Sequence, residues 1–148
     1  MNDKEKLQEL THKIVGWHKD RGTLKSKWQG QFIKMMEEAT EYLEATTKEE
    51  VKDGIGDMYV VAVNFAERAG ALPYDPLHER NVHIELLIGD VRSDPRCSID
   101  MLAGLAHSHG YTLVECVEQA WDEIKDRKGK MVNDVWVKES GVSDDKNL

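Results

Sequence analysis

One helix constrains the fold of this chain more than any other feature. Between Met58 and Ala66 the only strongly polar residue is Asn64. Thr47 is a favourable N-cap for this helix, and Gly70 predicts its end at about Ala69. A helix that is apolar on all its faces has to be buried. The sequence therefore predicts an all-α fold, a helical bundle that encloses this helix.

Hydrophobic periodicity predicts helices over most of the remaining chain, at residues 5–19, 27–45, 99–107 and 112–127. Residues 72–98 contain all three prolines, so we expect a connection there, with one short helix at the apolar patch 84–88. The segment 131–138 is rich in β-forming residues, which predicts a short extended C-terminal arm. We expect residues 140–148 to form a flexible tail.

The composition narrows the classes of function. The length of 148 residues is typical of one domain with one core, and we expect a single domain over residues 1–148. Asp and Glu total 28 against 20 Lys and Arg, which gives a formal net charge of −8. Nucleic-acid binding needs a basic surface, so we expect no nucleic-acid partner. The acidity leaves three explanations open: solubility, a basic partner, or a cation site built from carboxylates.

The sequence also carries signals about cellular location. No stretch approaches the ~20 apolar residues of a membrane span, and residues 1–6 have no apolar signal-peptide core. The two cysteines, Cys97 and Cys116, form no CxxC pair, which excludes a disulfide scaffold and a cysteine zinc site. We therefore expect a cytoplasmic protein without a membrane partner.

An acidic motif, Glu37-Glu38-Ala39-Thr40-Glu41, lies on the helix predicted at 27–45. Glu38 and Glu41 are neighbours on one helix face, where like charges repel unless a cation compensates them. The predicted apolar stripe of this helix consists of Phe32, Met35, Met36, Ala39 and Leu43. The two glutamates lie roughly opposite this stripe, which favours the simpler alternative of an acidic face in solvent.

The buried helix carries a polar seam, formed by Glu50, Asp53, Asp57 and Asn64, which fall within about 60° of one another at about 100° per residue. Asp57 directly precedes the apolar run, and a buried carboxylate must be protonated, paired or metal-bound. Asp53 and Asp57 facing the two glutamates would form a four-carboxylate cluster, the all-oxygen type of site that suits Mg²⁺ or Mn²⁺. A buried Asp that hydrogen-bonds backbone is an equally open alternative.

A basic cluster follows the last long helix and includes Arg127, Lys128 and Lys130. Cations at a helix C-terminus complement the helix dipole, and the same cations can bind the phosphates of a polyphosphate ligand. Lys34, one turn before Glu38, has two corresponding interpretations. It either forms a salt bridge with Glu38 or supplies a positive group beside a metal site.

Together these motifs resemble the MazG-like branch of the all-α nucleotide pyrophosphohydrolase superfamily, whose pattern is EExxE on one helix and ExxD on the next. Residues 37–41 match the first half without gaps, and Asp57 matches the Asp of the second half. Gly54 stands where the family has Glu, and Asp53 is the nearest carboxylate. Residues 53–61 and 121–133 resemble phage-encoded members. The resemblance spans most of residues 17–139, except 72–98.

This resemblance implies a homodimer or homotetramer that hydrolyses a nucleoside triphosphate to the monophosphate and pyrophosphate with Mg²⁺ or Mn²⁺. It implies metal binding by Glu38, Glu41 and Asp57, with Asp53 or Glu50 in place of the missing Glu. Glu37, Glu38 and Glu41 form the implied catalytic set, with Glu37 as a general base or a residue that orients the ligands. The implied substrate contacts are Lys34, Asn64, Arg127, Lys128 and Lys130, although a ligand-orienting or structural role is equally open for the Asn64 amide.

The substrate and even the catalytic activity have alternatives. A phage-like sequence, acting in the host cytoplasm, suggests a deoxynucleotide, such as a purine removed to favour a modified genome base. A dUTPase-like enzyme that acts on a pyrimidine is the alternative within the enzyme class. A non-catalytic helical module that binds a nucleotide or a partner protein is the other alternative, and Gly54 at the family's Glu position supports it.

Overall fold

The computed structural model describes residues 1–139, which form six helices and one β-hairpin. The elements are α1 Asp3–Arg21, α2 Trp28–Glu44, α3 Lys48–Arg68, α4 Ile84–Asp90, α5 Pro95–Ser108, α6 Leu113–Ile124, β1 Gly129–Val132 and β2 Val135–Lys138. The predicted all-α fold is confirmed. The predicted C-terminal arm is a two-stranded antiparallel hairpin, and the tail expected at 140–148 lies outside the described residues.

Helix α3 lies at the centre of the bundle and packs against α1, α2, α5 and α6. Every residue from Met58 to Ala66 is buried, as the apolar run predicts. The hydroxyl group of Thr47 accepts a hydrogen bond from the backbone N–H of Glu50 and so caps the helix start. Burial of this helix fixes its first half, including residues 53–57, beside α2 and α6.

Local capping chemistry sets the ends of the shorter helices. Thr112 and Glu115 form the complete capping box that begins α6. Helix α5 begins at Pro95, four residues before the prediction, because the Asp94 side chain accepts a hydrogen bond from the backbone N–H of Cys97. Proline is favourable in a first helical turn, where its missing N–H would lack a partner in any case.

Helix α2 is rotated relative to its predicted apolar stripe. Met36 and Leu43 are 43% and 63% exposed, whereas Glu38 is only 3% exposed. The prediction that Glu38 lies opposite the buried face is therefore wrong. Apolar residues occur on several sides of α2, so its periodicity does not determine which side faces the core. Contact with α3 determines which side faces the core. A Cβ atom at Gly54 would lie 3.0 Å from Cβ of Tyr42, so the two helices approach closely at this point.

The C-terminal hairpin turns at Asn133 and Asp134, which both have positive φ angles, 51° and 69°. Two such residues between paired strands are typical of a type I′ turn. The Asp134 carboxylate accepts a hydrogen bond of 2.9 Å from the backbone N–H of Lys27, just before α2. Trp136 of β2 is buried against Trp17 of α1, with ring centroids 6.4 Å apart. The hairpin thus covers one end of the bundle instead of extending into solvent.

Candidate functional site

Three carboxylates from α2 and α3 converge in the folded chain. Glu38, Glu41 and Asp57 each offer an oxygen atom, and these oxygens all lie within 4.8 Å of one another. Helices α2 and α3 are joined by residues 45–47 and pack side by side, which brings the acidic motif opposite the start of the apolar run. Three of the four predicted metal ligands are therefore neighbours.

Glu38 is the most buried member of this cluster. The Nζ atom of Lys34 lies 3.2 Å from its Oε1 atom, so the i,i+4 salt bridge expected from the sequence is present. Its Oε2 atom is buried and has no hydrogen-bond partner among the described residues. A buried carboxylate oxygen without a partner is costly, so this atom favours the approach of a proton donor or a cation.

The surroundings of Asp57 also disfavour a negative charge. Burial raises the pKa of its carboxyl group well above 3.8. The negative charge of Glu38 and a side-chain hydrogen bond with Glu38 raise this pKa further, with smaller contributions from Glu123 and Asp53. These effects oppose ionisation of Asp57. A hard divalent cation would relieve them, and an all-oxygen set of carboxylates fits Mg²⁺ or Mn²⁺. The residues present therefore fit the expected cation.

Asp53 and Glu50, the two substitutes considered for the missing family Glu, do not belong to this cluster. The side-chain amide of Gln119 on α6 donates a hydrogen bond to Oδ1 of Asp53. Glu50 is exposed and accepts hydrogen bonds from the hydroxyl groups of Thr47 and Thr46, which lower its pKa. Asp53 thus ties α3 to α6, and Glu50 belongs to the capping of α3. Neither takes the predicted place of a fourth ligand.

A cavity with about 660 Å³ of empty space, including some open solvent, lies beside the cluster. Its charged lining is Lys34, Glu38, Asp57 and Arg127; its apolar lining is Trp17, Val60, Val61, Ile124 and Trp136; its neutral polar lining is His18, Thr23 and Gln31. The cavity lining thus combines side chains of both charges with aromatic and aliphatic ones.

The predicted substrate residues separate into three groups. Lys34 and Arg127 line the cavity beside the carboxylates. Lys128 and Lys130 are exposed and do not line it. Glu37, which was predicted as a catalytic residue, lies partly buried on α2 outside the cluster of three. Asn64 is fully buried below the cavity wall.

The side chain of Asn64 has a structural role. Its Nδ2 atom donates to the backbone oxygen of Thr23 at 3.0 Å, and its Oδ1 atom accepts from Nε of Arg68 at 2.7 Å. These bonds hold the turn after α1 against α3. The structure thus favours a structural role for this amide over the expected contact with the sugar or base, since Asn64 does not line the cavity.

Sequence reasoning missed His18, whose ring connects the cavity wall to the core. Its Nε2 atom lies 2.9 Å from the backbone oxygen of Val60, so Nε2 carries the proton that this acceptor needs. Its Nδ1 atom lies 2.7 Å from the hydroxyl group of Thr23. Complete burial lowers the pKa of His18 to about 4, so the ring is neutral at physiological pH.

Trp17, Gln31 and Trp136 were also missed as cavity residues. Trp17 belongs to the apolar stripe of α1 and Trp136 to a β-forming segment, so neither pattern indicates a binding role. A partial signal was available for Gln31, because it lies one turn before Met35 and two before Glu38 and so shares the inward row of α2. The sequence alone does not reveal that the three side chains meet.

No family model, curated protein or solved structure matches this chain. No helix within residues 1–139 combines the length and hydropathy needed to cross a membrane.

Proposed function

We propose that this protein is a nucleotide pyrophosphohydrolase that needs Mg²⁺ or Mn²⁺ and converts a nucleoside triphosphate to the monophosphate and pyrophosphate. One observation carries the proposal: oxygens of Glu38, Glu41 and Asp57 cluster within 4.8 Å of one another beside a cavity that the side chains of Lys34 and Arg127 also line. The resemblance of residues 37–57 to the MazG-like pattern supplies the reaction class. A host-cytoplasmic deoxynucleotide, and among these a purine one, is the substrate that the phage-like stretches favour.

In this proposal Glu38, Glu41 and Asp57 would hold the cation, which would offer a partner to the buried Oε2 atom of Glu38. A bound divalent cation neutralises phosphate charge and lowers the pKa of a coordinated water. Lys34 and Arg127 bind phosphate oxygens from the cavity wall, and Lys128 and Lys130 attract the polyanion from outside. Glu37 is the proposed acceptor of the proton that the attacking water loses.

The absence of a nucleophile signature agrees with this chemistry. Phosphoryl transfer is catalysed mainly by positioning and charge stabilisation, so no covalent intermediate is required. Burial of Cys116 raises its pKa to about 12, and burial is also the largest cause that raises the pKa of Cys97. Neither thiol is therefore activated as a nucleophile.

We also propose that the protein acts as a homodimer or homotetramer. Ile33, Met36 and Leu43 lie on one face of α2 and are 47%, 43% and 63% exposed. Their spacing of three and seven residues forms an apolar row, which a second copy of the chain would cover.

Pyrophosphate release from a panel of ribo- and deoxynucleoside triphosphates, with Mg²⁺ or Mn²⁺, tests the activity. We expect release that EDTA abolishes, and a loss of about a hundredfold or more in kcat/KM for Glu38→Gln, since this variant removes a buried charge from the cation site. Glu44→Gln, an exposed change on the same helix, is the matched control and should retain activity. A wild type that binds nucleotides but releases no pyrophosphate would support the non-catalytic module instead.

A further inference from the structure

One wall of the cavity carries a polar atom that the proposed reaction does not use. Trp136 lines the cavity and is 7% exposed. Its indole Nε1 atom is buried and has no hydrogen-bond partner among residues 1–139. Native proteins pair nearly all their buried donors, so an unpaired indole N–H on a residue of the cavity lining indicates a missing acceptor.

The surroundings of Trp136 hold its ring in place. The Arg21 guanidinium lies 4.0 Å from the ring centroid of Trp17 and 4.9 Å from that of Trp136. It also donates a hydrogen bond to the backbone oxygen of Arg127. The Trp17 indole N–H is already used, since it donates to the backbone oxygen of Ile124 at 3.1 Å. Of the two tryptophans in this wall, only Trp136 has a donor left for a ligand.

Gln31 supplies a second polar group to the same region. It is 8% exposed and lines the cavity. An amide group offers a donor and an acceptor side by side. A heterocyclic base presents the complementary pair along one edge, and its flat apolar rings suit aromatic and aliphatic walls such as those of Val60 and Ile124.

We propose that Trp136 and Gln31 form a nucleobase subsite, in which the Trp136 indole N–H donates a hydrogen bond to a ring nitrogen or carbonyl oxygen of the base. This inference rests on the proposed function, because it assigns the phosphates to the charged part of the cavity beside Lys34 and Arg127. The C-terminal hairpin then selects the ligand and takes no part in the chemistry. A nucleotide accordingly binds more tightly than the triphosphate chain alone.

Calorimetric binding in Mg²⁺ tests this assignment with two probes: inorganic triphosphate and non-hydrolysable α,β-imido deoxynucleoside triphosphates. Trp136→Phe keeps an aromatic ring and removes the N–H, so we expect about tenfold weaker binding of the preferred analogue. Triphosphate binding should change less than twofold. Gln31→Met, which is similar in shape, should behave in the same way. Trp28→Phe is the control, because its ring packs against Phe32 and Arg92 outside the cavity, and it should alter neither affinity.

Three results would overturn the subsite. The first is unchanged analogue binding in both variants, and the second is equal weakening of analogue and triphosphate, which would assign the two residues to phosphate binding or to folding. The third is a wild type that binds triphosphate as tightly as every analogue. A wild type that binds neither probe would overturn the proposed function as well, so the two failures are distinguishable.

Discussion

At the scale of single residues, the acidic cluster contains a conflict that a proton or a cation relieves. Lys34 balances one charge of the cluster, through Oε1 of Glu38, while Oε2 of Glu38 is buried without a partner. Burial and the charge of Glu38 raise the pKa of Asp57, so the folded ion-free protein retains a proton there that a free Asp would lose. Proton release and stability are therefore linked at this position, and binding of the proposed cation would be linked to both.

Asp57→Asn should raise the melting temperature of the ion-free protein near pH 8. The folded pKa lies above the unfolded value of 3.8, so the stabilising contribution of Asp57 is complete below 3.8 and is lost as pH rises through the folded pKa. At pH 8 the carboxyl group costs stability, because it ionises more readily in the unfolded chain than in the fold, and the amide removes this cost. Thermal melts in EDTA measure this effect.

Millimolar Mg²⁺ should then raise the melting temperature of the wild type but not of Asp57→Asn, because a ligand stabilises only the state that binds it. Asp53→Asn is the matched control, since its carboxylate bonds Gln119 outside the cluster, and it should keep the Mg²⁺ response. Asp57→Asn melting below the wild type in EDTA would contradict the argument.

His18 should make the protein less stable in mild acid. Its folded pKa of about 4 lies below the unfolded value of 6.5, so the unfolded chain takes up a proton first and stability is lost as pH falls from 6.5 towards 4. At pH 5 the loss relative to pH 7 is roughly 2 kcal/mol. Urea unfolding of wild type and His18→Gln at both pH values measures it, because the other titrating groups cancel in the difference. An equal gap between the two proteins at pH 7 and pH 5 would refute this role.

At the scale of elements, α3 positions the site through close contacts with both neighbouring helices. Gly54 faces Tyr42 of α2, and Gly56 faces the backbone of Cys116 on α6. These glycines lie on either side of Ile55, directly before Asp57, so the close approach of three helices occurs where the carboxylates meet. Glycine costs up to about 1 kcal/mol within a helix relative to alanine, and the approach of α2 and α6 compensates for that cost.

Gly56→Ala should destabilise the protein by about 2 kcal/mol or more. Its added Cβ would overlap the backbone oxygen of Cys116 and lie 2.8 Å from Cβ of Ala120, so α6 would have to move away. Gly16→Ala in α1 is the control, because nothing lies within 4 Å of the new Cβ, and it should stabilise by up to about 1 kcal/mol. Urea unfolding midpoints of the three proteins provide the measurement. A Gly56→Ala protein as stable as the wild type would show that α3 and α6 pack less closely.

At the scale of the whole molecule, the acidic residues behind the net charge of −8 lie in different environments. Exposed acidic side chains such as Glu5 and Glu9 account for part of it, whereas Glu38 and Asp57 carry charge into the cavity wall. Arg127 lines the same cavity although it lies far along the chain, and Trp136 of the hairpin lines it as well. The face of α2 that points away from the cavity carries the apolar row of Ile33, Met36 and Leu43.

Met36→Glu should lower the molar mass of the protein in solution from that of a dimer or tetramer, because it places a charge in the centre of the apolar row. Light scattering coupled to size-exclusion chromatography gives the mass directly. Leu77→Glu is the control, since Leu77 is 70% exposed in the connection between α3 and α4, and its mass should equal that of the wild type. A monomeric wild type would refute the proposed assembly.

Much of this architecture is predictable from local sequence. The apolar run of α3, the Thr112 and Glu115 capping box and the β-forming tail each specify their element through contacts within a few residues. The same holds for the salt bridge between Lys34 and Glu38, one turn apart. Local spacing likewise predicted Glu38, Glu41, Asp53 and Asp57 as neighbours, since a short connection makes consecutive helices adjacent. All of these except Asp53 meet in the cluster.

The tertiary structure decided the rest. Only the packing of α2 on Gly54 determines that Glu38 points inward, and only the approach of α6 gives Asp53 its partner Gln119. Burial against Thr23 and Arg68 removes Asn64 from the site, while the hairpin brings Trp136 to a cavity that α1 begins more than 100 residues earlier. The sequence by itself determined the helices and the carboxylates; the cavity beside them depends on long-range packing, because local periodicity allows several rotations of a helix and only contact with its neighbours selects one.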